Sequence, residues 1–588
     1  MKKVLVIILG IVLCNLVFPQ IPAGYEKGLE YIDKDDMQMN VSVLANDTMK
    51  GRPAGSLENY IACKYIAGKF SQFGLIPFVE PRYPKTKTVK LNEDGDEDSK
   101  PPLLQEPKEE LTPFDKYFQK FFILDSKIDQ SKTSISVITK SGQFSKSKTY
   151  SIRKDFIVDY KEMQNLDVTG PVIFLGYGIE KGEGDYSDYK DENGKEIDIK
   201  DKIVVVIEGY PQAKDTSSIF NKIKTPAYTR TKNKVETALI KGALAVLVVK
   251  NPLENLPPFP VYFEGYAKSF AGSDYSLPGL KTKSAIPLVY ADEKVVDELF
   301  SESGKKLFKT LKEIDKTLKS ASFLIENKAL TINLAYENNL IPTQNVVGYI
   351  EGSDPVLKNE YVVIGAHMDH VGLGYFGAMS KNDAGKIHNG ADDNASGTAG
   401  VIELAEALSK VKPKRSIIFV AFNAEEYGLL GSRYYAYQNP FKEISKTVAM
   451  LNLDMLGRNE DNLLWLGGIF YGDDMKGVIE EANKEVGMEL LYNVGLLTFG
   501  SDQGPFIRMK IPAVFFFAGM HDDYHTPQDD IEKINFDKAN NIVKLAYLSA
   551  WSVANSDIKP AYRELTMDEK IKLVNESLAR QKKYKKQD

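Results

Sequence analysis

At 588 residues the chain is longer than one hydrophobic core usually organises, so several domains or a large insertion are expected. Lysine and arginine number 75 against 81 aspartates and glutamates, a formal charge of -6 that gives no reason to expect a nucleic-acid partner. A hydrophobic fraction of 43 % with 27 % charged residues excludes a disordered or collagen-like chain.

The first residues, Met1-Lys2-Lys3 followed by VLVIILGIVLCNLVF, read as an export signal over residues 1–20, with cleavage expected between Phe18 and Ala23. An uncleaved anchor is the alternative, on a stretch short for a span. A lipoprotein reading at Cys14 is weaker, because Leu13 stands where a small residue is expected. With the signal removed, Cys63 is the one cysteine left and no internal disulfide can form. The mature protein is then exported, periplasmic or secreted, without stable membrane association.

Residues 21–154 form the first part of the principal domain. Two helices are expected around a turn at Gly51 to Gly55; Ile61, Tyr65, Ile66, Phe70 and Phe73 recur at helical spacing, and Gly74 closes the second helix. Residues 83–113 are charged and proline-bearing, too poor in apolar side chains to bury a face, and read as a solvated insertion. Strand-like runs resume at YFQKFFIL and SISVIT, and GPVIFLGYGI, KIVVVIEGY and ALAVLVVK, with the helical VETALIKG before the last, suggest a compact α/β or β-rich module over 155–323. It contains no histidine, and its expected role is structural or substrate-shaping.

From 324 to 555 short apolar strands (NVVGYIEG, EYVVIGAHMDH, SIIFVAFNAEE, TVAMLNLDML, NLLWLGG, AVFFFAG) alternate with helices such as GTAGVIELAEALSKV. That is an α/β fold with a mixed, mostly parallel sheet flanked by helices, in which ligands sit beyond the carboxyl ends of the strands. Residues 556–588 read as a charged helical tail.

All five histidines lie in this last domain, and each accompanies carboxylates. His367 ends an apolar run, and Asp369, two residues on along an extended chain, shares its face and can fix its tautomer. In NGADDNASG, Asp392 is read as a carboxylate bridging two cations and Asp393 as the helix cap. Glu425 and Glu426 end the next strand; one can ligate a metal while the other takes a proton from bound water. Asp454 follows another strand, and His525 sits beside Tyr524 in DDYHTPQDD. Five ligands (His367, Asp392, Glu426, Asp454, His525) shared through Asp392 give each of two divalent ions three contacts. Imidazole and carboxylate without thiolate suits zinc, with cobalt or manganese as substitutes.

GAHMDH, NGADDNASG, AEEYGLLGS, LNLDMLGR and YHTPQDD, in that order, resemble the signature of the co-catalytic zinc exopeptidases grouped as metallopeptidase family 28, which includes leucyl aminopeptidases, glutamate carboxypeptidase II and the glutaminyl cyclases. The resemblance implies two zinc ions per chain, His367 and Asp454 on one, Glu426 and His525 on the other, and Asp392 bridging. It implies Glu425 as general base to a zinc-bridged hydroxide, Asp369 as orienter of His367, and Tyr524 as donor to the developing oxyanion. It also implies a protease-associated domain at 155–323 and, as substrates, peptides with a free N-terminus. The chain departs from the family in having Ser501-Asp502-Gln503 where a histidine often ends the motif, and in the acidic insertion over 91–110. Other readings are a carboxypeptidase, which needs an arginine such as Arg433, Arg458 or Arg508 for the substrate carboxylate, a glutaminyl cyclase, and a non-catalytic receptor-like homologue. Leu496, Leu497 and Phe499 suggest an apolar specificity pocket.

Overall fold

The computed structural model describes residues 20–77, 112–160, 163–191, 193–222, 227–262, 274–279, 285–459, 462–472, 474–493, 498–557 and 559–584. Residues 1–19 of the expected export signal, residues 83–111 of the expected insertion, and Leu496 and Leu497 lie outside them. The chain divides into two units, one built from the N-terminal region to residue 123 with 341–588, the other from 124–340.

The first unit is organised by strands β1 (Tyr336–Ile350, paired with β3 over 346–350), β2 (Tyr361–His367), β3 (Ser416–Phe422), β4 (Thr447–Leu453), β5 (Leu463–Gly467), β6 (Glu489–Asn493) and β7 (Ala513–Phe517). Their order is β6-β5-β7-β4-β2-β3-β1. The four central strands β3, β2, β4 and β7 are parallel, while β1 joins β3 and β5 joins β7 antiparallel. Central strands are buried on both faces, which explains why their sequences run apolar without alternation.

Successive residues nonetheless serve different cores. Ile364, Phe419, Leu451 and Phe516 point to one face, covered by α1 (Lys34–Leu44), α2 (Leu57–Gln72), α3 (Gly397–Ser409) and α4 (Phe536–Asn555). Val363, Ile418, Val420 and Met450 point to the other, against Tyr435, Phe506 and Ile511. The turn expected between the first two helices is present, with Gly51 and Gly55 at positive φ, and α2 begins at Ser56, whose hydroxyl accepts the Asn59 N–H. Because the central strands run in parallel, their carboxyl ends share one edge of the sheet. His367 ends β2, Glu425 and Glu426 follow β3, Asp454 follows β4, and the loop carrying His525 follows β7.

The second unit is built on an eight-stranded mixed sheet in the order 144–151, 134–141, 323–334, 166–174, 203–207, 245–249, 288–291 and 156–159. It takes in two strands that precede residue 155. Its core is formed by side chains such as Phe174, Val205, Leu247, Val289 and Leu330.

Candidate metal centre

At the carboxyl edge of the parallel strands the backbone turns sharply. Ala424, before Glu425, Met455, after Asp454, and His525 itself all have positive φ (56°, 57° and 52°). Non-glycine residues adopt this region at a cost of about 1–3 kcal/mol, and they cluster where side chains must be held in a set direction.

The carboxylate at the centre is Asp393. Its Oδ1 lies 3.3 Å from His367 Nε2, and its Oδ2 lies 3.0 Å from His525 Nε2. His367 Nε2 is also 3.4 Å from Asp454 Oδ1, and His525 Nε2 is 3.0 Å from Glu426 Oε2. Three donor groups result; His367/Asp393/Asp454 and His370/Asp393/Glu426/His525 are joined through Asp393, and the third, His367/Glu425/Glu426, overlaps both. Glu425 approaches the centre from beside them, near His367 and Glu426. The expectation that Asp392 bridges and Asp393 caps is therefore corrected. The N–H groups of Asp392 and Asp393 both donate to Asp529, and Asp392 Oδ1 accepts the Gly457 N–H at 2.6 Å. With the loop pinned in that way, the first aspartate points away and the second points in. The Gly397 N–H at the start of α3 donates to Asn394 Oδ1 at 2.9 Å, a bond expected of Asp393.

Asp369 differs from expectation as well. The ring Nδ1 of His367 is 3.2 Å from the Asp369 carbonyl oxygen and 3.9 Å from its carboxylate, so the main chain orients the ring. The carboxylate instead accepts the N–H groups of Glu425 and Glu426, at 3.1 and 3.3 Å, and so holds the turn that presents both glutamates. His525 Nδ1 donates to the Gly377 carbonyl at 2.7 Å, leaving the Nε2 lone pair directed at the two carboxylates. Tyr524 stacks on the His525 ring, centroids 3.8 Å apart.

Buried donors without hydrogen-bond partners test whether a cation fits. His525 Nε2 and Asp454 Oδ1 are both buried and unpartnered, and each points at the convergence of charges. Leaving such groups unpaired is costly, and a hard or borderline divalent ion with oxygen and imidazole ligands removes that cost. The donor set fits zinc. Protein charges alone strain the centre: against the opposing effect of burial, Glu426 and Asp393 push His525 up to about 11. Burial, and then the charges of Glu426, Asp502 and Asp454 against the pull of His367, raise the Glu425 carboxyl well above the carboxylate range. Burial, and then the charges of Asp393, Glu426, Glu425 and Asp454, push the Tyr524 hydroxyl upward and keep it protonated.

Two supports lie outside the candidate site residues read from the sequence. Arg52 is fully buried, and its guanidinium donates to the carbonyls of Met368, Leu44, Asn389 and Gly390, tying the His367 loop to the Asp393 loop. Its place in the N-terminal GRPAGS segment gave the only signal. Replacing Arg52 with Met should cost about 3 kcal/mol or more, because several buried acceptors lose their donor, and should lower the thermal midpoint in calorimetry. Ser501 donates to Asp454 Oδ2 at 2.8 Å and accepts from Asn452. Ser501→Ala should weaken metal binding about 10- to 100-fold in chelator competition while leaving the fold intact. His388 and His521 stand apart from all three donor groups: His388 Nδ1 meets the Lys386 carbonyl, and His521 Nε2 lies 3.4 Å from Asp392.

The model of peptidase family M28 matches over residues 345–549, the span that holds every donor named above. Over these residues the chain is similar to peptidase family M28. Aminopeptidase YwaD of Bacillus subtilis is 28 % identical over 248 residues, covering 40 % of this chain and 50 % of that protein. Leucine aminopeptidase 2 of Trichophyton equinum is 33 % identical over 211 residues, covering 34 % and 38 %. The chain thus spans half the length or less of these curated relatives. Among solved structures, an aminopeptidase from Aneurinibacillus sp. strain AM-1 aligns over 92 % of this chain and 99 % of its own, at 21 % identity and a TM-score of 0.46. The matched span begins within β1 and ends within α4, so it contains the parallel core and omits the Arg52 brace.

Proposed function

We propose that the protein is an exported dinuclear zinc aminopeptidase that removes N-terminal residues from peptides. The observation that carries this reading is the position of Asp393, whose two oxygens face two sets of imidazole and carboxylate donors, with Glu425 outside both of those sets and adjoining His367 and Glu426. His367, Asp393 and Asp454 would hold one ion; Asp393, Glu426 and His525 would hold the other. When bound, such a pair supplies an acidified water and polarises the scissile carbonyl.

The remaining steps belong to this chain's own groups. Glu425 takes a proton from the attacking water and passes it to the leaving amine, a task suited to a carboxyl whose affinity for protons its surroundings have raised. Tyr524, protonated and adjoining His525, donates its O–H to the oxygen that gains negative charge. Asp369 keeps the Glu425–Glu426 turn in place through its backbone bonds.

Relatives named as aminopeptidases support the choice of substrate end. Of the arginines a carboxypeptidase could use, Arg458 is bonded to Asp523 at 2.5 Å and Arg508 lies over the Phe499 ring. The basic start followed by an apolar run supports export, and among the described residues no helix is long and apolar enough to cross a membrane. We assign residues 155–323, within the second unit, to a protease-associated domain. No nucleic-acid partner is proposed, in keeping with the formal charge of -6.

The test is zinc stoichiometry and hydrolysis of a panel of free-amine and N-blocked peptides on one preparation. Close to two zinc per chain, with cleavage only when the α-amine is free, is expected. Cleavage of N-blocked peptides bearing a free carboxylate would replace the reading by a carboxypeptidase, and absence of both metal and turnover by a binding protein.

A further inference from the structure

We infer that His370 is a protein ligand of the second metal ion, joining Asp393, Glu426 and His525 around it; the inference rests on the metal-binding reading above. His370 Nδ1 lies 2.9 Å from Glu426 Oε1 and 3.7 Å from Asp393 Oδ2. Those are the same two carboxylates that His525 Nε2 approaches at 3.0 Å each. The two imidazoles converge on the pair from different directions, with ring centroids 5.3 Å apart and planes at 80°. Bonds of about 2.0–2.2 Å at tetrahedral angles set donor atoms about 3.3–3.6 Å apart, close to the separations seen among these groups. One donor atom from each of the four residues lies within 4.8 Å of all the others.

The ring is also held there. His370 is fully buried, and the backbone of Gly390, at φ 57°, runs so close that a Cβ on that residue would come 2.5 Å from the ring carbons. A ring confined between this backbone and two carboxylates cannot swing into solvent, so its Nδ1 is preorganised toward the cluster. Two carboxylates facing two imidazoles carry excess negative charge that a divalent cation among them neutralises. The centre is consequently asymmetric. One ion has four protein residues around it, and the other has His367, Asp393 and Asp454.

The distinguishing experiment loads the chelator-stripped full-length protein with cobalt and counts ring N–H proton resonances shifted by the paramagnetic ion. Wild type is expected to give three such signals, from His367, His370 and His525, and His370→Ser to lose one of them. The same variant should bind one equivalent about 10- to 100-fold more weakly in chelator competition while the other equivalent is unchanged. His388→Asn, a buried histidine outside the cluster, should keep all three. Should His370→Ser fold poorly, X-ray absorption of the zinc-loaded wild type decides, with about 1.5 imidazoles per zinc expected against about 1.0 without His370. A signal count unchanged by His370→Ser, or about 1.0 imidazole per zinc, overturns the assignment and leaves His370 as a hydrogen-bond donor to Glu426. A stoichiometry of one ion per chain with the His370 signal present overturns the two-ion reading and sustains this one, and absence of bound metal overturns both.

Discussion

Glu425→Gln should leave metal content at the wild-type level and lower kcat by about 10³-fold, with a small change in KM. Glutamine preserves the shape of the side chain and removes its ability to hold a proton, so the substitution isolates proton transfer from ligation. Glu425 belongs to neither of the two donor groups that share Asp393. The backbone N–H that anchors the turn donates to Asp369 and does not depend on the Glu425 side chain. Metal analysis by mass spectrometry alongside steady-state kinetics checks both halves. Retained turnover would remove Glu425 from the proton path, and loss of an ion would make it a ligand instead.

The fold was legible in the sequence wherever the pattern was local. β2, β3, β4 and β7 are continuous apolar runs, which is what strands buried on both faces require. Their shared direction put His367, Glu425, Glu426, Asp454 and His525 at one edge, as the strand-end positions of these residues suggested. What was hidden depended on contacts far along the chain. Adjacent aspartates are chemically alike, and only the anchoring of their N–H groups by Asp529, 137 residues on, and of Asp392 by Gly457, 65 residues on, decides which faces inward.

His370 was visible in GAHMDH, yet nothing local linked it to Glu426, 56 residues away. Asp369 illustrates the opposite error. Its spacing from His367 matched a side-chain contact on an extended strand, but the strand ends at His367, and beyond that point alternation no longer holds. Arg52 carried no metal-ligand signature, since its part is to hold carbonyls of loops more than 300 residues away.

The sharpest test of the corrected centre compares Asp393→Asn with Asp392→Asn. Asp393 faces donors of both groups, at 3.3 Å from His367 and 3.0 Å from His525, so an amide there weakens both sites together. An amide oxygen is a poorer ligand than a carboxylate and carries no charge to offset two cations. Activity should fall by about 10⁴-fold or below detection, with metal content dropping well under the wild-type level. Asp392→Asn keeps an oxygen able to accept the Gly457 N–H and removes a charge that faces His521. That variant should retain both ions and stay within about tenfold of wild-type activity, because its part is to shape the loop. Equal losses of metal in the two variants would mean that the aspartates act as one unit. A larger loss from Asp392→Asn would restore it as the bridging carboxylate and overturn the arrangement of donors around Asp393.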